Sequence, residues 1–235
     1  MKKENVFKWR HYQPDIILLT VRWYLRYNLS FRDLVEMLEE RGLSISHTTI
    51  MRWVHQYGPE LDKRIRLHLK QTNDSWRVDE TYIKVKDQWM YLYRAVDSKG
   101  NTIDFFLNKT RDQKAAKRFF KKALRSFHVS KPRVITVDKN KAYPIAIEQL
   151  KKEKSIPDGM QPRQQKYLNN IVEQDYRFIK KRIRSMLGLK CFDTATSILS
   201  GVEAMHMIKK EQIDLRDQSI QNQKKFIHQL FGLVA

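Results

Sequence analysis

Cysteine is almost absent: Cys191 is the single one in 235 residues. A disulfide framework is thereby excluded, which suits a reducing compartment. With no histidine near it in sequence, Cys191 reads as a small buried hydrophobe rather than a nucleophile. No apolar run is long enough to span a bilayer, and the opening residues MKKENVFKWR have no apolar segment behind their charges. Neither a membrane span nor a secretory signal is expected, and the cytoplasm is the expected location. The 7 histidines show no zinc-type spacing. Internal repeats are lacking. Acidic residues are scarce as well: 26 Asp and Glu face 46 Lys and Arg, a formal net charge of +20. So basic a chain repels itself unless an anionic partner offsets the charge. Because the cations run along the whole chain rather than in one terminal amphipathic segment, nucleic acid is favoured over a membrane surface.

What is present is ample for a core, with 41% hydrophobic and 11% aromatic residues. Residues 11–58 read as three helices. The first starts at Pro14, a favourable first helical position. The second is capped by Ser30 with Asp33 three residues on, and Phe31, Leu34, Val35 and Leu38 form one apolar face. Gly42 supplies a left-handed stop. The third helix, HTTIMRWVHQY, is expected to close at Gly58-Pro59. The second and third helices form a helix-turn-helix. Ile50, Trp53, Val54 and Tyr57 face inward, which leaves Thr48, Arg52 and His55 outward, with side chains of a length that reaches base edges and phosphates.

From residue 75 the period changes. SWRVDETYIKV, WMYLYRAVD and NTIDFFL, separated by turns at 86–88 and 98–101, read as an antiparallel meander. Helical composition returns over 112–126. The short apolar strand VITV then ends in Asp138, and a helix follows over 141–150. This order calls for a mixed α/β sheet with helices on its faces. Asp79 is a charge in the middle of the first strand, costly there unless paired, with Arg77 for example, or metal-bound. Asp138 stands at the carboxyl end of a strand, where α/β sites form. If the two strands are neighbours, the two carboxylates face each other. Residues 167–187 read as one long helix whose buried stripe is Val172, Tyr176, Ile179, Ile183 and Met186. Beside it Glu173, Arg177, Lys180 and Arg184 form a second stripe. Glu173 can thus point at a site while the cations line an anionic substrate.

The strings VDET at 78–81, TVDKN at 136–140 and YLNNIVEQDYRFIKKRIR at 167–184 resemble the DDE transposases of small bacterial insertion sequences, nearest to the group called insertion-sequence family six. The 34 residues between Asp138 and Glu173, and Lys180 seven residues after Glu173, fit that group. So does the segment from Phe31 to Leu61. The resemblance covers most of 10–210. It implies a helix-turn-helix domain over 1–70 and a ribonuclease H-like catalytic domain with a mixed five-stranded sheet over 71–210. A helical tail is left at 211–235. It implies Asp79, Asp138 and Glu173 as catalytic metal ligands for two Mg²⁺ (or Mn²⁺) ions, with Lys180 and Arg177 on backbone phosphates. It also implies double-stranded DNA, as element ends and target, for a partner, and a homodimer or larger homo-oligomer. Such a protein binds inverted-repeat ends, exposes a 3′-OH and transfers it to target DNA, typically by replicative cointegrate formation. The rivals are a helix-turn-helix regulator or a domesticated relative without catalysis, and a ribonuclease H-like nuclease.

Overall fold

A computed structural model describes residues 6–7, 11–186 and 189–233, with Lys166 and Tyr167 described by backbone alone. The rest of the opening segment, and Leu187 at the end expected for the long helix, lie outside the described residues. The chain forms two compact units, one of residues 70–181 and one of residues 1–69 with 182–235. Residues 182–210, expected in the catalytic domain, therefore cluster with the N-terminal helices, and so does the 211–235 segment. The division falls inside one helix, between Lys181 and Arg182.

In the helical unit, α1 (Pro14–Arg26) buries Ile17, Leu18, Val21, Tyr24 and Leu25. α2 (Phe31–Glu39) starts with the expected capping box: Ser30 Oγ accepts from Asp33 N at 3.2 Å, and Asp33 Oδ2 accepts from Ser30 N at 2.8 Å. Gly42 at φ +71° makes the turn. α3 (His47–Ile65) runs straight through Gly58-Pro59 instead of ending there. An interior proline removes a helix hydrogen bond and costs about 3 kcal/mol. Continuing the helix buries Leu61 and Ile65, each stabilising by about 1.5–3 kcal/mol, so burial wins. α7 (Phe192–Lys209) crosses α3 where two glycines meet: a Cβ on Gly201 would lie 2.9 Å from Gly58 Cα and 2.7 Å from Leu25. α8 (Ile220–Leu230) ends beside α3, where Arg64 donates to the Leu230 carbonyl at 2.6 Å and covers the Phe231 ring at 4.9 Å. Arg182 donates to the Tyr24 carbonyl at 2.7 Å and lies over that ring at 4.3 Å.

The sheet unit opens with β1 (Ser75–Val85), β2 (Gln88–Asp97) and β3 (Thr102–Asn108), an antiparallel meander as expected. Lys86 at φ +43° and Asp87 at φ +63° make a two-residue hairpin turn, so Gln88, expected in the turn, already belongs to β2. Asp97, fully buried, accepts from the backbone N–H groups of Asn73, Lys99 and Asn101 and closes the next turn. α4 (Gln113–Ala123) is capped by Asp112. β4 (Val134–Val137) lies parallel to β1, α5 (Ala142–Lys152) follows, and β5 (Gln161–Gln164) pairs parallel to β4. The five strands stand in the order β3-β2-β1-β4-β5. The expected mixed five-stranded sheet flanked by helices is thus present. β5 escaped the sequence reading because QPRQ is wholly exposed and shows no apolar alternation.

Strand alternation sorts β1 onto two faces. Trp76 and Val78, with Tyr93, Ala95, Ile135 and Val137, pack on α4 and α5 in the main core. The opposite face meets α6 (Asn170–Ser185), which a turn of 3₁₀ helix at Lys166–Asn169 precedes. That turn and Ser185 shorten the helix expected over 167–187. Asn169 donates to the Val78 carbonyl at 3.1 Å, and Tyr176 Oη to the carbonyls of Asp79 (2.6 Å) and Leu92 (3.2 Å). The stripe of Val172, Tyr176 and Ile179 is buried as expected.

Candidate active site

β1 and β4 are parallel neighbours, so Asp79, inside β1, and Asp138, just past β4, come together. Carboxylate oxygens of Asp79, Glu80 and Asp138 all lie within 4.8 Å of one another. Asp138 is held by a local turn: its Oδ1 accepts from Asn140 N at 2.9 Å, and Asn140 Oδ1 accepts from Ala142 N at 3.0 Å, which leads the chain into α5. Asp79 is half-buried on the α6 face. Burial, then the charge of Glu80, then those of Asp138 and Glu173, lift its carboxyl from 3.8 to about 7, against a partial offset from the Glu80 backbone N–H. Arg77 is no partner for it. That guanidinium donates instead to Ser75 Oγ at 2.9 Å and Thr136 Oγ1 at 3.3 Å.

Glu173 stands on the exposed side of the first turn of α6 and shares with Asp79 a cleft of about 640 Å³. Thr81, Tyr176, Arg177 and Lys180 also line it. The expected second stripe is present, since Glu173, Arg177, Lys180 and Arg184 are all exposed, but Arg184 is not among the residues lining the cleft. On α3, Thr48 and Arg52 are exposed, and the Thr48 hydroxyl lies 3.0 Å from Ser46 Oγ. His55, expected outward with them, is half-buried in a cavity of about 700 Å³ lined by Tyr24, Phe31, Met51, Leu189 and Ile198. Burial holds its imidazole below the ordinary value. The outward face of α3 is thus narrower than the periodicity implied, because α7 and the segment before it occupy one flank.

Several residues that sequence reasoning missed shape the site, Glu80, Tyr143, Arg111 and Arg94 among them. Glu80, its side chain 2% exposed, lies on the α4/α5 face. It accepts from Tyr143 Oη, from Arg111 and, at 3.4 Å, from Asn140 Nδ2. Burial, and then the Glu80 charge, push the Tyr143 hydroxyl well above its ordinary pKa, which keeps it a donor. Arg111 also reaches Asp138 Oδ2 at 3.4 Å. Arg94, opposite Asp79 in the β1–β2 register and wholly buried, pairs with Asp175 on α6 at 2.9 Å. The rings of Tyr176 and Phe178 flank its guanidinium at 5.6 and 5.2 Å. The pair fastens α6 to the sheet two residues from Glu173. The adjacent acids of the DET triplet were the signal for Glu80: consecutive strand residues face opposite ways, so one of the two had to enter the core.

Residues 73–212 match the family described as "DDE domain". The chain is 38% identical over 208 residues, 88% of its length and 90% of the relative's, to "Transposase for insertion sequence-like element IS431mec" of Staphylococcus aureus. The same identity and coverage hold for "Transposase for insertion sequence element IS257 in transposon Tn4003" of Staphylococcus aureus. Among solved structures, the HTLV-2 integrase catalytic core domain in complex with magnesium aligns with 17% identity and a TM-score of 0.44, over 56% of this chain and 84% of that one.

Proposed function

Since the chain belongs to the DDE transposases of insertion sequences, we propose that it binds the inverted-repeat ends of its element, cuts DNA there and joins the freed ends to target DNA. The observation that carries this reading is Asp79, set on a central strand between Asp138 and Glu173 with Arg177 and Lys180 beside it. The donor set fits divalent cations. Carboxylate oxygens of Asp79, Glu80 and Asp138 converge within 4.8 Å, Glu173 lines the cleft beside Asp79, and a cation's charge would offset the burial and the carboxylate repulsion that raise Asp79. Asp79, Asp138 and Glu173 would hold Mg²⁺ or Mn²⁺, two ions on this reading. When bound, the ions supply activation of the attacking oxygen and charge stabilisation of the leaving one.

The chain's own groups do the rest. Tyr176 ties α6 to the Asp79 and Leu92 carbonyls and sets the depth of the cleft. Arg177 and Lys180 hold the backbone phosphates that flank the scissile bond. Arg111 and Tyr143 donate to Glu80, and Arg111 also pairs with Asp138 at 3.4 Å. Water first breaks the phosphodiester to leave a 3′-OH. That hydroxyl then attacks a target phosphorus, and the target's own 3′ oxygen departs. Arg52 and Thr48, exposed on the first turns of α3, contact the element end. At least two copies pair the two ends, and the outcome is a replicative cointegrate.

The test is incubation of the protein with labelled element ends, supercoiled target and Mg²⁺. Labelled ends joined to target support the reading. A band shift without joining indicates a DNA-binding relative without catalysis, and degradation without joining a nuclease; either sinks the proposal.

A further inference from the structure

The front face of the β1–β2 hairpin carries exposed aromatic rings. Tyr82 is 50% exposed and Trp89 63%. In the register, Glu80 faces Tyr93, Tyr82 faces Tyr91, and Lys84 faces Trp89, so these side chains share one face. The row starts at Tyr93, inside the core, and runs out to Trp89 at the tip. The reverse face is fixed, with Ile83, Val85, Met90 and Leu92 all buried, so the register and the outward direction of the rings are set. Tyr82 and Trp89 meet edge-on, their planes at 84° and centroids 6.3 Å apart. Tyr82 and Tyr91 are tilted by 52° at 5.1 Å. An edge-on contact covers only one ring face of the pair, and the exposure of Tyr82 and Trp89 leaves ring surface open to a planar ligand, with Tyr91 half-buried against the core beside them.

Two observations choose the ligand. The row comes close to the carboxylate site: Tyr82 follows Glu80 by one same-face step, about 6.6 Å along β1, and carboxylate oxygens of Glu80, Asp79 and Asp138 lie within 4.8 Å of one another. Exposed lysines lie near it in the strands and turn: Lys86 at the hairpin end, Lys84 beside it, paired with the exposed Asp87 at 2.9 Å, and Lys109 just past the end of β3. Exposed ring surface with lysines nearby matches bases and phosphates of unpaired DNA, and any base can stack, since stacking does not read sequence. We propose that Tyr82, Tyr91 and Trp89 form a stacking platform for unpaired nucleotides next to the phosphodiester held at Asp79 and Asp138. This rests on reading the carboxylates as the DNA-cutting site. The platform would hold the strand frayed from the duplex, and so keep the scissile phosphate near the carboxylates without distorting the sheet.

Binding can be measured in EDTA, independently of catalysis. Fluorescence anisotropy with labelled oligothymidine and with a blunt duplex of equal length would compare the full chain with Tyr82→Ala, Trp89→Ala, Tyr82→Phe and Trp89→Phe. Each alanine variant should lose about tenfold in single-strand affinity, with the salt slope unchanged. Duplex affinity should stay within about twofold, and the phenylalanine variants should retain most single-strand binding. Both positions are exposed, so folding is not at stake. Unchanged single-strand affinity, or an equal loss on duplex, overturns the proposal. So does a fall in molecular mass by light scattering with DNA affinity intact, which would make the face a contact between copies. Failure here leaves joining by the parent untouched, whereas failure of the transposase reading appears only in the joining assay.

Discussion

Asp79 and Glu80 are consecutive acids that stand on opposite faces of one sheet in opposite circumstances. Glu80 is enclosed and answered: a guanidinium, a phenol and an amide all donate to it. Asp79 is half-buried with carboxylates for company, and its proton is held up to about pH 7. An acid that serves the fold is given donors by the fold. An acid kept for chemistry is held against repulsion until something from outside relieves it. Around these two acids the α4/α5 face therefore reads as structural and the α6 face as functional, although a single peptide bond separates them.

The largest expected effect tests the functional face. Asp79→Asn, Asp138→Asn and Glu173→Gln should each reduce end cleavage and strand transfer to background while end binding persists in gel-shift assays. Substantial transfer by any one of them would remove that residue from the site. Next is the clamp behind that face. Arg94→Met leaves Asp175 without its buried cation and should destabilise by about 3–5 kcal/mol in urea unfolding. Arg94→Met combined with Asp175→Leu should recover most of it, and no recovery would show that the pair is not the reason. On the structural face, Glu80→Ala strands Tyr143 and should lower stability by about 3 kcal/mol even with EDTA present. A variant as stable as the parent would erase the contrast between the two acids.

The smallest effect is the most discriminating. Asp79 titrates at 3.8 in an ordinary environment and about 7 in the folded chain, so the folded state binds the proton more tightly. Its stabilising contribution is complete below 3.8 and is lost as pH rises through about 7. Melting curves in EDTA should therefore coincide for parent and Asp79→Asn at about pH 4. At about pH 8 the variant should melt level with the parent or higher, and a drop there would mean that Asp79 is held by a partner after all. Mn²⁺ should raise the parent's melting temperature, and Asp79→Asn should lose most of that rise.

The strands were legible because period two and β-branched or aromatic composition agree over 75–108, and the capping box at Ser30 announced α2. The three carboxylates were legible mainly as strings in a known pattern; singly, each had an ordinary explanation. What stayed hidden depended on contacts remote in sequence. Nothing local told that α3 would outrun Gly58-Pro59, because its continuation is stabilised by burial of Leu61 and Ile65. The exposed β5 has no pattern of its own and exists by pairing with β4. His55 has the right spacing for the outward face, and only the presence of Leu189 and Ile198 shows why it is half-covered. Arg94 read as one more cation among many until its partner on α6 was in view.

The glycine crossing between α3 and α7 has a consequence in time. Gly58 and Gly201 belong to the same unit, but the whole 70–181 unit is synthesised between them. At about 5–20 residues per second, the ribosome takes on the order of ten seconds to cover that interval. The sheet can close while α1 to α3 still lack the helix that completes their core. The helix carrying Arg52 would then mature last, although it is made first. Nascent chains arrested at successive lengths should show protease protection of the sheet residues before protection of α3.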